Sequence, residues 1–106
     1  MVTLSSHLLN SVNGTHAKDV DIIIYQIKSN GEKTIFFKTK TDSGGRLLKE
    51  FELNDEDCKS EYEMVCKTGD YFSEKKIISE VVVKFKMPDP NKKYHIPIII
   101  SPNGYS

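Results

Sequence analysis

Tryptophan is absent from these 106 residues, arginine occurs once, cysteine twice and histidine three times. Each scarcity narrows what the chain can be. Cys58 and Cys66 are too few for the disulfide framework of a small secreted domain. Their spacing, with the histidines scattered, fits no zinc-binding pattern. The roughly 20 consecutive apolar residues of a membrane span are missing. So are a basic flank leading into an apolar leader and a terminal peroxisomal or retention address. The expected location is therefore cytoplasmic. Formal net charge is zero and the pI about 6.8, which argues against the clustered basic footprint of a nucleic-acid binder. No P-loop, dinucleotide glycine fingerprint or G-x-S-x-G elbow occurs.

What is present is a folded composition, 38% hydrophobic and 28% charged, in a length that suits one domain over residues 1–106 with a single core. Strand patterns dominate. Residues 4–12 alternate weakly, and Asn13-Gly14 then supplies a turn, since glycine takes positive φ at no steric cost. Residues 20–27 are β-branched, and Asn30-Gly31 turns the chain into the alternating segment 34–41. Asp42-Ser43-Gly44-Gly45 is a tight loop that delivers Arg46 to a short strand over 47–53. Residues 54–60 read as an acidic, polar loop. Residues 61–67 place Tyr62, Met64 and Cys66 inward. Asp70 suits a helix N-cap, opening one short helix over about 71–76. Strands over 77–85 and 93–101 flank a loop with two prolines. Seven or eight strands with turns about every 8–12 residues and no βαβ alternation predict an all-β, antiparallel β-sandwich.

The most apolar stretch, residues 94–102, also carries a histidine. As a strand it puts Tyr94, Ile96, Ile98 and Ile100 on a core face, with His95, Pro97, Ile99 and Ser101 on the other. That second face could floor a small polar ligand, with Ser101 offering a hydroxyl. The bland reading is a half-buried histidine on an edge strand, for Pro97 cannot donate to a ladder and requires a missing or bulged neighbour. His7 lies in the first strand. His16 reads as a solvated loop residue. Arg46 stands against 14 lysines, either as a chance surface residue or because its position needs the planar, bidentate fork that lysine lacks. Two imidazoles and a guanidinium suffice for hydrolysis without metal. One neutral ring takes a proton from water, the other orients water or substrate, and the guanidinium holds developing negative charge. Sequence alone does not bring the three together.

A resemblance joins them. Leu4-Ser5-Ser6-His7-Leu8-Leu9 resembles the L-S-T-H-V-L opening of the 5-hydroxyisourate hydrolases, the enzyme branch of the transthyretin-like family. Thr41 to Arg46 matches that family's T-x-x-x-G-R loop, Gly69-Asp70-Tyr71-Phe72 its G-D-Y-F segment, and Tyr94 to Pro102 its Y-H-x-P-L-L-x-S-P strand. The resemblance implies a transthyretin-like sandwich of two four-stranded sheets with one short helix. It also implies a homotetramer, a dimer of dimers with sites in the channel between dimers. The implied reaction opens the six-membered ring of 5-hydroxyisourate at a lactam C–N bond in urate degradation. No cofactor is implied. The matching catalytic positions are His7, Arg46 and His95, with His7, Arg46 and Ser101 expected to touch substrate. The family continues past a Tyr-Ser pair into Tyr-Arg-Gly-Ser, whose tyrosine contributes to the substrate site. Tyr105-Ser106 match that pair, so either the sequence is truncated before the signature, the expected case with every upstream motif intact, or the protein lacks part of that site. Asn103-Gly104 replaces a bulkier pair and is expected to loosen the terminal strand.

The competing reading is a transthyretin-type binding protein that carries a small aromatic ligand in the same channel, although that branch departs at the His, Arg and His positions. An immunoglobulin-like adhesion module would share the sandwich but normally brings a secretory signal and paired cysteines.

Overall fold

Alternation of small apolar and polar side chains is carried through into the three dimensions of a computed structural model, which describes residues 1–72 and 77–106. The elements are β1 (Val2–Asn10), β2 (Thr15–His16), β3 (Asp21–Ile27), β4 (Lys33–Lys40), β5 (Arg46–Phe51), α1 (Asp55–Lys59), β6 (Glu61–Cys66), α2 (Thr68–Tyr71), β7 (Val81–Lys86), β8 (Lys93–Ser101) and β9 (Gly104–Tyr105). One sheet runs β4-β3-β6-β7, antiparallel throughout. The other contains β5, β1, β8 and β9, with β2 added beside β1. Every second residue of β1 is buried, and Leu4, Leu8, Ile22, Ile24, Tyr62, Met64, Ile98 and Ile100 fill the space between the sheets. Among the described residues, no helix is long and apolar enough to cross a membrane.

The sandwich is the one expected, with four differences of detail. The sheet that contains β1 has five strands rather than four, because the Asn13-Gly14 turn folds the chain back and pairs Asn10 with Thr15 and Leu9 with His16. The pairing is not wholly antiparallel: β1 and β8, from opposite ends of the chain, run parallel over eight registered pairs, Thr3 with Lys93 to Asn10 with Ile100. Among the described residues there are two short helices. Residues 54–60 form α1 instead of a loop. Asn54 accepts from the Asp57 amide while the Asp57 carboxylate accepts from the Asn54 amide, a reciprocal cap that satisfies orphan donors without any apolar periodicity. Finally, the second helix begins at Thr68, so Asp70 lies inside it and is not its N-cap. Gly69 is the reason: its amide donates to the Ser79 carbonyl, and a Cβ there would stand 2.6 Å from that oxygen. That close seat on the following segment starts the turn earlier than local capping would. The part of the expected helix over 73–76 lies outside the described residues.

The β8 strand keeps the expected bounds and faces. Ile98 and Ile100 are buried, while His95, Pro97 and Ile99 are exposed. Pro97 faces β1 on one side, and β9 reaches only Ile100 and Ser101, so the ladder asks nothing of the missing proline N–H. Cys66 is fully buried, and burial pushes its thiol up to about 12, which makes it an inert apolar side chain.

Candidate active site

β1 changes partner part-way along one edge. It pairs with β5 from Val2 to His7 and with β2 at Leu9 and Asn10. At the change-over the loop 42–45 tucks against the strand: the Leu8 amide donates to the Gly45 carbonyl at 2.7 Å, and the Ala17 amide to the Leu8 carbonyl at 2.9 Å. Gly45 has φ +71°, and a Cβ there would lie 2.5 Å from the Leu8 carbonyl oxygen, so glycine is required on both counts. Asp42 holds the loop from within. Its Oδ1 accepts from the amides of Gly44 and Arg46 at 2.9 and 3.0 Å, and these bonds chiefly keep its carboxyl below the usual range. The loop thereby fixes the first residue of β5, Arg46, in register with His7.

The parallel β1–β8 ladder supplies the rest. It sets His95 against Ser5, two residues before His7, and the Ser5 hydroxyl lies 2.8 Å from His95 Nδ1. Because odd-numbered positions of both strands share a face, Ser5, His7, His95 and Pro97 all point away from the core. A depression of about 280 Å³ opens there, lined by Ser5, Ser6, Asp42, Arg46, Leu47, Leu48 and His95. The sequence-derived trio of His7, Arg46 and His95 is therefore brought to one end of one sheet face. Ser101 is not. It lies on the same face but six residues along β8 from His95, about 20 Å at strand rise, and its hydroxyl donates to the Gly104 carbonyl at the turn into β9.

His16 corrects the sequence reading. It is exposed, but it is not simply solvated: its Nδ1 is 2.8 Å from His7 Nε2, and the two ring centroids are 4.9 Å apart at 33°. All three histidines and the only arginine of the chain thus gather in one place. The signal that could have revealed His16 was the Asn13-Gly14 turn, which returns the chain onto β1 within three residues of His7. The cluster depresses the basicity of His7, whose imidazole is held below its ordinary 6.5 by partial desolvation, then by the charges of Arg46, His16 and His95. A backbone hydrogen bond at Gly44, which favours the charged ring, works against them. A ring that is neutral at pH 7 can accept a proton, and a guanidinium beside it can hold an anion.

A second depression of about 270 Å³ lies on the other sheet, between Asp21, Ile23, Lys38, Thr39, Lys67 and Asp70. Its charges are of both signs and it contains no imidazole or thiol, so the chemistry belongs with the histidines. Among the described residues no three His, Cys, Asp or Glu side chains are arranged to hold a metal ion.

An all-β sandwich with imidazoles and a guanidinium on one outer face defines the class. The HIUase/Transthyretin family model matches residues 4–106, and the chain belongs to that family. It is 34% identical to the 5-hydroxyisourate hydrolase of Salmonella dublin over 97% of this chain and 76% of that protein. Among solved structures, the Klebsiella pneumoniae 5-hydroxyisourate hydrolase superposes with a TM-score of 0.77 at 22% identity, covering 100% of this chain and 95% of that one. Transthyretin from Sparus aurata superposes with a TM-score of 0.82, also at 22%, covering 97% and 91%. The backbone is thus equally at home with a hydrolase and with transthyretin, and only side chains can decide between them.

Proposed function

We propose that this protein is a 5-hydroxyisourate hydrolase, acting as a single domain over residues 1–106 in urate degradation. The observation that carries the reading is that the strand register sets His7 beside Arg46, and His95 beside Ser5 two residues away, on one sheet face where Arg46 and His95 line an open depression. Neutral His7 removes a proton as water attacks the lactam carbonyl of the six-membered ring. Arg46 stabilises the oxyanion that forms. His95, held through Nδ1 by Ser5, presents its other nitrogen to water or substrate. Collapse of the tetrahedral intermediate breaks the C–N bond, the departing nitrogen takes up the proton, and the product is 2-oxo-4-hydroxy-4-carboxy-5-ureidoimidazoline. No step calls for a cofactor. Because His7 must be neutral, the acid limb of activity falls below its ordinary pKa of 6.5.

The same outer face carries Leu48 and Ile99, 66% and 43% exposed. Apolar side chains around a polar site support its closure by other subunits, in a homotetramer with the substrate channel between dimers. In that assembly Ser101 would meet substrate from a neighbouring copy. The test is the ultraviolet decay of freshly generated 5-hydroxyisourate. Accelerated decay is expected. An intermediate retained stoichiometrically by the protein and never consumed would overturn the enzymatic reading in favour of a carrier.

A further inference from the structure

The mechanism above uses the polar side of the depression and leaves its apolar side without a task. We propose that Leu48 is the specificity-determining residue of the site, an apolar wall that covers one face of a flat fused-ring lactam while polar groups meet the ring's edges. The inference rests on the hydrolase reading and deepens it.

The strand register builds the hollow. Ser5 is paired with Leu48 of β5 on one side and with His95 of β8 on the other. Neighbouring strands lie about 4.8 Å apart, so Leu48 and His95 rise from backbones roughly 10 Å apart with a serine between them. A short side chain flanked by two longer ones leaves a trough, and all three line the depression of about 280 Å³. One row along, where His7 is paired with Arg46, the guanidinium closes its end. The trough thus has a hydroxyl for its floor, an imidazole for one wall and a leucine for the other.

A solitary exposed leucine is ordinary on a protein surface, but three observations set Leu48 apart. It is 66% exposed on a strand whose nearest same-face neighbours, Arg46 and Glu50, are charged. Among the described residues β5 is paired with β1 alone, so no further strand shelters the leucine. And Leu48 lines the depression, whereas Ile99, four residues along β8 from His95, does not. A fused-ring lactam matches this asymmetry. Its in-plane N–H and C=O groups need hydrogen-bond partners, and its two faces do not. With those edges turned toward Ser5 and Arg46, one face comes to rest on Leu48 and both apolar surfaces leave water. That face is covered alike before and during the reaction, so the contact contributes to KM rather than to kcat. A single six-membered ring offers less face and gains less.

The experiment compares the wild-type chain with Leu48→Ser and Leu48→Met. It measures kcat and KM for 5-hydroxyisourate, and follows by NMR the titration with xanthine, a stable fused-ring lactam, and with uracil, its six-membered ring alone. In the wild type the Leu48 methyl signals should move upfield with xanthine, as the ring current of the covering heterocycle reaches them, and xanthine should bind more tightly than uracil. Leu48→Ser is expected to raise KM and the xanthine Kd by about tenfold each. Its kcat should stay within about twofold of the wild type, and its preference for xanthine should narrow. Leu48→Met, which keeps an apolar side chain of similar volume, should behave as the wild type. Gel filtration should give Leu48→Ser the wild-type assembly. Leu48 methyls that ignore xanthine, a wild type with no preference between the two ligands, an unchanged KM in Leu48→Ser, or an altered assembly in that variant would each overturn the role of Leu48. If the wild type itself does not accelerate decay of the substrate, the hydrolase reading fails, and the titrations still decide whether Leu48 covers a ring.

Discussion

Each sheet of the sandwich wears a polar cluster on its outer face, and the two are balanced in opposite ways. On the β3–β6–β7 side, Glu63 sits between Lys33 at 2.9 Å and Lys84 at 3.7 Å, and the Lys33 ammonium also lies 4.6 Å over the Tyr25 ring. Each charge there has a counter-charge, and Lys33 holds the Glu63 carboxyl below the usual carboxylate range. On the β1–β5–β8 side, three imidazoles and a guanidinium face one another, and the lone carboxylate of Asp42 is spent on backbone amides. The first cluster is complete within the chain. In the second the carboxylate is fastened to the amides of its own loop, and the Arg46 guanidinium is left to face a developing oxyanion. The two polar clusters thus differ in what they are fit for: one fastens strands together, the other is open to a ligand.

Mutation should separate them most sharply through turnover. His7→Ala, His95→Ala or Arg46→Ala is each expected to keep the fold and to lower kcat/KM for 5-hydroxyisourate by about 10²-fold or more. Lys33→Met, on the paired cluster, should leave it unchanged. Normal turnover in all three site variants would erase the distinction. Gly45→Ala probes how the loop builds the unbalanced site. With φ +71° and a clash against the Leu8 carbonyl, it should destabilise the protein by on the order of 1–3 kcal/mol in chemical denaturation. It should also lower activity by displacing Arg46. A smaller effect is expected from Ser5→Ala, which frees His95 to rotate. A loss of kcat of several-fold, with unchanged thermal stability, would show that the hydroxyl orients the ring.

The paired strands were legible because their pattern is local: β8 runs from Lys93 to Ser101, with its isoleucines inward and His95 outward, as alternation dictates. The paired cluster was half legible, for Glu63 falls on the outward face of β6 but its burial beneath Lys33 and Lys84 is a cross-strand effect. The convergence of His7 with His95 was not legible from pattern at all. It depends on a parallel pairing between the two ends of the chain, and hydrophobic alternation is identical in parallel and antiparallel strands. Only motif resemblance supplied it. His16 was missed for a different reason: a two-residue strand has no period, so its return onto β1 leaves a mark only in the Asn-Gly turn before it. Helix α1 escaped because five residues held by a reciprocal Asn54–Asp57 cap contain no buried side chain.

Acidification offers the finest contrast, because both clusters lose ground as pH falls but in different windows. Glu63 has a native pKa below its ordinary 4.5. The stability it contributes is therefore present above pH 4.5 and is lost as pH drops through the lower native value. Glu63→Gln should lower the melting temperature by about a few degrees at neutral pH, and that deficit should close in strong acid. His7 behaves otherwise, since its native pKa lies below 6.5 and the group is a base. Above pH 6.5 the ring is neutral in both folded and unfolded chains and contributes nothing to the pH dependence. Below it the unfolded chain takes up the proton first, and the folded state weakens until the native ring titrates as well. A His7→Gln variant should accordingly match the wild-type pH dependence above about pH 6.5 and be less sensitive to acid just beneath it. Melting curves that show the same sensitivity for both proteins between pH 6.5 and the native value would mean that neither desolvation nor the neighbouring charges hold His7 below its ordinary value in solution. The β1–β5–β8 cluster would then be no less balanced than its counterpart.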